Sequence, residues 1–303
     1  MPIKVSIIIP NYNHAPFLEV RIKTILKQSY QDFELILLDD CSTDNSVEIL
    51  SSYKNHSKVS HLLINPTNSG SPFKQWVKGI KLAKGDYIWI AESDDYCELN
   101  FLEKLMESMY EGGVVLAFCA SNIIDESGTK KGRHKWADAL NPTRWESSFK
   151  NTGKNEIMQY LRYRNTITNA SAVIFKAIAV KNITYPLDMK FCGDWYFWIE
   201  ILKQGNIVYE KQQLNYFRRH ATTTRYIKPF HLEKQRFQEY LQIIKSNSTV
   251  LSRLLNLKRY VWVLNEWNFK KEHFPKNALD HFDLPIEFSL FAKIKSNSKY
   301  SNE

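Results

Sequence analysis

The densest chemistry in the chain lies in Glu92, Asp94 and Asp95, three carboxylates within four positions at the end of the apolar run Tyr87-Ile88-Trp89-Ile90. A run of that length and composition reads as a buried strand. Carboxylates crowded at a strand tip repel one another, so the group is stable when a cation or several donors neutralise it. A solvated acidic turn, capping a helix from about Leu99, accounts for the same residues. A second strand also ends in acid: Phe33-Glu34-Leu35-Ile36-Leu37-Leu38 runs into Asp39-Asp40 and then Cys41-Ser42-Thr43-Asp44. Helix capping explains Ser42, Thr43 and Asp44 more readily than it explains the aspartate pair.

The elements around these tips alternate. Val5 to Ile9 reads as a buried parallel strand stopped by Pro10, followed by the turn Asn11-Tyr12-Asn13-His14. Phe17, Leu18, Ile22, Ile25 and Leu26 then recur at helical spacing. A strand over Val59 to Ile64, a helix over Pro72 to Ala83 closed by Gly85, the acid-tipped strand, a helix from about Leu99 to Met109 and a strand over Val114 to Ala120 complete the pattern. Such β-α-β-α order predicts an α/β fold with a mainly parallel sheet between two helical layers. Ligands of such sheets bind at the carboxyl ends of the strands, which places both acidic tips on the binding edge.

Composition narrows the partners. The 303 residues can bury a large core, and the net charge of +9 calls for an anionic partner such as a phosphorylated substrate or an acidic membrane surface. No zinc-finger spacing and no RNA-binding signature is present, so nucleic acid is not expected. Cys41, Cys97, Cys119 and Cys192 form no CxxC pair, which fits a reducing, cytoplasmic setting. Met1-Pro2-Ile3-Lys4 enters a strand pattern without a signal-like apolar stretch, and no run reaches the roughly 18 residues of a membrane span. Any membrane contact is therefore expected to be peripheral, on the cytoplasmic face.

Three ordered blocks carry a resemblance. Ser6-Ile7-Ile8-Ile9-Pro10-Asn11-Tyr12-Asn13, Leu38-Asp39-Asp40-Cys41-Ser42-Thr43-Asp44-Asn45-Ser46, and Ala83-Lys84-Gly85-Asp86-Tyr87-Ile88 leading to Glu92-Ser93-Asp94-Asp95 resemble the motifs of the family 2 inverting glycosyltransferases of GT-A fold. A fourth, Phe191-Cys192-Gly193-Asp194-Trp195, is similar to that family's Glu-Asp-Trp segment, with Gly193 in place of the Glu. The similarity spans about residues 3 to 220 and implies a Rossmann-like GT-A sheet. It implies a nucleotide-sugar donor held by Pro10, Tyr12, Asn13 and Asp40, with Tyr12 stacking on the base and a uridine nucleotide favoured. It implies a divalent metal, Mn²⁺ or Mg²⁺, on Asp94 with Asp95 and Glu92, Glu92 standing where the family more often has Asp. Asp194 corresponds to the general base, and Asp188 is the reserve candidate. His220 corresponds to a residue that reaches the metal or diphosphate, with Arg218 beside it as a phosphate clamp.

Where the family has Arg-Asn shortly before Gly-Ile, this chain has Phe73-Lys74-Gln75-Trp76-Val77-Lys78-Gly79-Ile80, and Lys74 is the candidate to supply the missing positive charge to the donor. Between Ser121 and Glu156 the pattern loosens around Lys130-Lys131-Gly132-Arg133-His134-Lys135-Trp136 and Arg144-Trp145, where aromatic rings suit either sheet packing or a carbohydrate acceptor. A helix near Ile157 to Arg164 and a strand near Ala172 to Phe175 follow. Beyond Pro229 the chain reads helical, with Leu251, Leu254, Leu255, Leu257, Tyr260, Val261 and Leu264 as one apolar stripe that can pack on the catalytic unit, pair subunits or lie on anionic lipid. Lys293 to Glu303 reads as a frayed tail.

The sequence therefore predicts a GT-A catalytic domain over 1–228 and a helical extension over 229–303. The expected activity is transfer of a sugar from a UDP-sugar to a hydroxyl of a glycan or lipid-linked glycan in surface polysaccharide assembly, of capsule or O-antigen type. A nucleotidyltransferase would show a glycine-rich loop after the first strand, which Pro10-Asn11-Tyr12-Asn13 lacks. A non-catalytic glycan-binding protein would have no need of the acids.

Overall fold

A computed structural model of the chain describes residues 4–220, 229–270 and 273–275. Its strands are β1 (Val5–Asn11), β2 (Phe33–Asp39), β3 (Val59–Ile64), β4 (Tyr87–Ile90), β5 (Tyr96–Cys97), β6 (Val114–Ile124), β7 (Lys130–Arg133), β8 (Phe149–Thr152), β9 (Val173–Lys176) and β10 (Asn206–Arg218). The helices are α1 (Ala15–Leu26), α2 (Ser46–Ser52), α3 (Pro72–Leu82), α4 (Phe101–Met109), α5 (Gly153–Glu156), α6 (Gly193–Leu202), α7 (Phe230–Ser246), α8 (Val250–Leu255) and α9 (Leu257–Lys270).

The sheet runs β3-β2-β1-β4-β9-β6-β10-β5. β1 is parallel to β2 and β4, β2 to β3, and β6 to β10. β9 lies antiparallel between β4 and β6, so those two strands point the same way across it. The expected mainly parallel α/β sheet is present, with one reversed strand inside it. β1 anchors the arrangement: Val5, Ile7, Ile8 and Ile9 are fully buried, each contributing roughly 1.5–3 kcal/mol of apolar transfer. Helix α3 can press against β1 because Gly79 has no side chain; a Cβ there would lie 2.4 Å from Ile8.

Three local expectations change. The helix expected over Ile157 to Arg164 begins earlier, as α5, and widens into a π turn over Ile157–Leu161. Gly85 is required by packing: its Cβ would lie 2.6 Å from the Ser6 nitrogen, and Ser6 Oγ accepts from the Gly85 N–H at 2.8 Å. The stripe from Leu251 to Leu264 does not lie on one face. The helix breaks at Asn256, leaving Leu251, Leu254 and Leu255 exposed on α8, while Tyr260, Val263, Leu264 and Trp267 of α9 are buried.

Helices α7 and α9 share the apolar cluster of the sheet, with Phe237, Leu241, Ile244, Tyr260 and Trp267 joining Leu161, Trp195 and Trp198. No helix among the described residues is long and apolar enough to cross a membrane. The expectation for Lys293 to Glu303 lies outside the described residues.

Candidate active site

The carboxyl ends of β2, β1 and β4 lie side by side, in a register that pairs Asn11 with Asp39 and Ile8 with Ile90. Both acidic tips therefore flank the turn Asn11 to His14. Asp39, fully buried, accepts from Asn11 Nδ2 at 2.8 Å and from the Ser42 amide and hydroxyl at 2.8 and 2.6 Å. Asn13 closes the same loop pair, its Oδ1 accepting from the Thr43 amide at 2.7 Å. Asn13 and Cys41 both hold positive φ, 55° and 66°, a left-handed geometry that asparagine tolerates and cysteine adopts at a cost of about 1 kcal/mol. Asp44 receives the Ala15 amide at 3.0 Å, joining the second loop to the start of α1.

Tyr12, on the turn after buried Pro10, is 45% exposed and offers a free ring face at this edge. Asp40 beside it is buried in donors: Asn65 Nδ2 at 2.6 Å, the Ser69 amide and hydroxyl at 2.9 and 2.8 Å, and Gln75 Nε2 at 2.7 Å. Lys74 is exposed and its ammonium donates to the Ser69 carbonyl at 3.0 Å. The structure thus brings Pro10, Tyr12, Asn13, Asp40 and Lys74 to one rim.

The acidic turn after β4 divides. Asp94 accepts from His220 Nε2 at 3.0 Å, and His14 stands T-shaped to His220 with ring centroids 5.3 Å apart. One ligand atom each from His14, Asp94 and His220 lies within 4.8 Å of the others. Burial pushes Asp94 upward, and the hydrogen bond from His220 is the main cause that outweighs it, holding this carboxyl below its ordinary value. Burial lowers His14, which favours the neutral, ligating imidazole.

The other two carboxylates turn away from this point, so the expected metal set of Asp94, Asp95 and Glu92 does not converge. Glu92 accepts the Trp76 indole N–H at 2.8 Å and is pushed up to about 8, by desolvation first and by Asp94 next. Asp95 accepts from Asn169 Nδ2 at 3.0 Å and from the Arg218 amide at 2.9 Å, and the same causes raise it to about 7. Arg218 is buried, and its guanidinium donates to the carbonyls of Asp94, Asp125 and Glu126 at 2.8, 3.1 and 2.9 Å. It braces the turn with donors that a phosphate clamp would have to present outward.

Asp194 sits in the first turn of α6, half-buried, with Asn165 Nδ2 donating to it at 3.0 Å and the Trp195 amide at 2.7 Å. Residues 165 to 169 form a strap between the two halves of the site, since Asn165 holds Asp194 and Asn169 holds Asp95. The segment leading to Asp194 is clasped from α7. Buried Glu239 accepts the backbone N–H groups of Lys190, Phe191 and Cys192 at 2.8, 2.9 and 2.8 Å. Gly193 has no room for a side chain; a Cβ would lie 2.6 Å from the Phe73 ring.

Sequence reasoning missed His14, Arg21, the two strap asparagines and Glu239. Arg21 is wholly buried over the Trp89 ring at 4.9 Å, its guanidinium without a hydrogen-bond partner, and its charge favours the ionised forms of Glu92 and Asp95. Its signal was legible: it falls on the apolar stripe of α1 between Leu18 and Ile22.

Residues 6–178, more than half of the chain, match the family described as "Glycosyl transferase family 2". An uncharacterized glycosyltransferase of Haemophilus influenzae is 40% identical over 124 residues, 39% of this chain and 49% of that protein. The Staphylococcus aureus poly(ribitol-phosphate) beta-N-acetylglucosaminyltransferase TarS is 24% identical over 290 residues, 94% of this chain and 46% of that protein. The chain thus spans about half the length of either relative. The crystal structure of S. aureus TarS 1-349 in complex with UDP-GlcNAc superposes with a TM-score of 0.65 at 20% identity, covering 94% of this chain and 77% of that one, a likeness of fold.

Proposed function

Because the chain belongs to glycosyl transferase family 2, a membership carried by residues 6–178, we propose that it transfers a sugar from a UDP-sugar to a hydroxyl of a cell-surface polymer with inversion at the anomeric carbon. The observation that carries this reading is the convergence of Asp94, His220 and His14 at one sheet edge, between the Tyr12–Asp40 rim and the strap to Asp194. The TarS likeness supports a uridine donor and a polyol-phosphate or glycan acceptor.

A carboxylate and two imidazoles within 4.8 Å fit a divalent cation of Mn²⁺ type, and such an ion would offset the charge that builds on the departing diphosphate. Asp94, His220 and His14 are the residues proposed to hold it; Asp95 and Glu92 shape the turn. Tyr12 is proposed to stack on the base. Asp40 orders the 65–75 loop that borders it, and Lys74 meets the donor's negative charge. Asp194 takes the proton of the acceptor hydroxyl as that oxygen attacks the anomeric carbon and the bond to the diphosphate oxygen breaks. Residues 1–228 are proposed as the catalytic unit and 229–303 as a helical extension whose α7 supports the Asp194 segment. Contact with anionic lipid and subunit pairing through the extension remain proposals carried by the exposed leucines of α8.

A panel of UDP-sugars, with Mn²⁺ and with Mg²⁺, tests the reading by thermal stabilisation and by slow donor hydrolysis. Stabilisation by UDP that depends on metal is the expected result. Asp194→Asn should retain it and lose transfer, and transfer surviving in that variant would remove Asp194 from the mechanism.

A further inference from the structure

Arg21 is wholly buried on α1, and the Nε and both terminal nitrogens of its guanidinium have no hydrogen-bond partner. Withdrawing a guanidinium from water is costly, and each N–H left unpaired adds to the cost. Its contact over the Trp89 ring at 4.9 Å returns less than that. An aliphatic side chain of the same length would pack on Trp89 without the penalty. What offsets the buried charge must therefore be charge of the opposite sign, acting through the protein interior.

Position supplies it. Trp89 stands three residues before Glu92; it stacks on Phe101 with ring centroids 4.4 Å apart, and its indole N–H donates to the Ser171 carbonyl at 2.8 Å, so the ring under the guanidinium is fixed. Helix α1 also packs on β5, and Gln28 just beyond the helix donates to the Glu98 carbonyl at 2.8 Å. Residues 91 to 95, with their three carboxylates, join the two strands on which α1 rests. The neighbouring cations are engaged elsewhere. The Arg218 guanidinium is held by the carbonyls of Asp94, Asp125 and Glu126, and His220 is on Asp94. Asp95, 2% exposed, takes neutral donors from Asn169 and the Arg218 backbone. Desolvation and Asp94 raise both Asp95 and Glu92, and the Arg21 charge acts on both in the opposite direction.

We infer that Arg21 is the resident counter-charge of the acidic turn, a positioning residue that holds the carboxylates together from the protein interior and whose positive field sets how tightly Asp94, His14 and His220 bind a divalent ion. The inference rests on the metal reading of those three residues. Two consequences follow from charge alone. Without Arg21 the carboxylates repel one another until a cation arrives, so the metal-free turn loses more than the metal-bound one. Taking one positive charge away from the surroundings of the ion also favours its binding. Arg21 thus keeps the turn formed when the ion is absent, at the expense of affinity when it is present.

Arg21→Met keeps the length of the side chain and its packing on Trp89 but removes the charge, whereas Arg21→Lys keeps the charge. On the full chain without donor, Mn²⁺ affinity is read from the free-ion signal in electron paramagnetic resonance, and the rise in Tm at saturating Mn²⁺ from scanning calorimetry. Arg21→Met should bind Mn²⁺ about tenfold more tightly than the wild type and gain more in Tm from it, while Arg21→Lys should stay within about twofold. Removing the opposite charge too, in Arg21→Met/Asp95→Asn, should return the affinity toward the wild-type value. A side chain that only packs would shift Tm equally with and without Mn²⁺ and leave the affinity alone. If Arg21→Met does not fold, Asp95→Asn is compared with the double variant, where the same tightening is expected and equal affinities overturn the inference. Mn²⁺ bound through Asp94 with one affinity in the wild type and Arg21→Met, or Arg21→Lys behaving as Arg21→Met does, overturns the inference and leaves the metal reading intact. A wild type that binds no Mn²⁺ refutes the metal reading, and the inference with it.

Discussion

Replacing Glu239 with glutamine keeps the shape of the side chain and removes its charge and one acceptor oxygen. In the native protein, Oε2 takes the amides of Phe191 and Cys192 and Oε1 takes that of Lys190, all at 2.8–2.9 Å. Bonds to a charged acceptor contribute about 1.5–3 kcal/mol and bonds to a neutral one about 0.5–1.5 kcal/mol. With the amide oxygen kept on Phe191 and Cys192, two bonds weaken by about 1 kcal/mol each. The Lys190 N–H then faces an NH₂ group, but Lys190 is exposed and water can take part of that loss. The sum is a destabilisation of about 2–4 kcal/mol, or a drop in Tm of roughly 3–6 °C for a chain of this size. Scanning calorimetry gives the Tm. Below the transition, kcat should fall while the affinity for UDP stays within about twofold, because residues 190 to 192 lead to Asp194 and the nucleotide rim is built on β1 and β2. A Glu239→Gln protein that melts with the wild type would refute the clasp as a source of stability. A folded variant that loses UDP affinity in step with kcat would refute the separation of the two halves.

Asp94→Asn should reduce Mn²⁺ affinity at least tenfold, and His14→Ala should do so by a smaller factor; both are read from the free-ion signal in electron paramagnetic resonance, and full retention in the first variant would displace the proposed ion from this turn. Glu34 gives a pH-dependent outcome away from the site. Burial alone would raise this carboxyl, yet the hydrogen bonds from Ser6 Oγ and the Lys84 amide, at 2.6 and 2.7 Å, leave it below its ordinary value. A depressed carboxyl contributes stability that is present above the unfolded-state value and lost as pH falls through the folded one. Denaturant titrations in acid should therefore show a shallower loss of stability for Glu34→Gln than for the wild type, and identical acid limbs would contradict the assignment.

How legible each part was depends on whether its cause is local. The strand tips at Asp39-Asp40 and Glu92 to Asp95 were readable because apolar runs that end in acid are continuous in sequence, and their placement on one edge follows from the parallel pattern. The direction of each carboxylate was not readable, since Asp95 is turned by Asn169 and the Arg218 backbone, residues 74 and 123 positions away. The same holds for Asp40, whose donors arrive from the 65–75 loop. Helix α8 misled because periodicity continues through Asn256 while the helix ends there and a second one starts at Leu257. Glu239 was invisible as a partner of residues 190 to 192 because backbone amides leave no mark in a sequence.

The close contact between Gly193 and Phe73 has a consequence for how this chain can change. Position 193 departs from the motif it otherwise resembles in lacking the Glu before Asp194, and Phe73 begins the segment through Ile80 that differs from the family's pattern. The ring occupies the volume into which a side chain at 193 would grow, with 2.6 Å left for a Cβ. Side-chain volume at 193 and at 73 is therefore exchanged between α6 and α3. Gly193→Glu alone is expected to clash, and Phe73→Ala alone to leave a void costing about 3–5 kcal/mol. Made together they should be less damaging than their sum, a favourable interaction energy that a double-mutant cycle on Tm would measure. Each residue is thus permissive for the other, so a sequence that restores the acid at 193 should carry a smaller residue at 73.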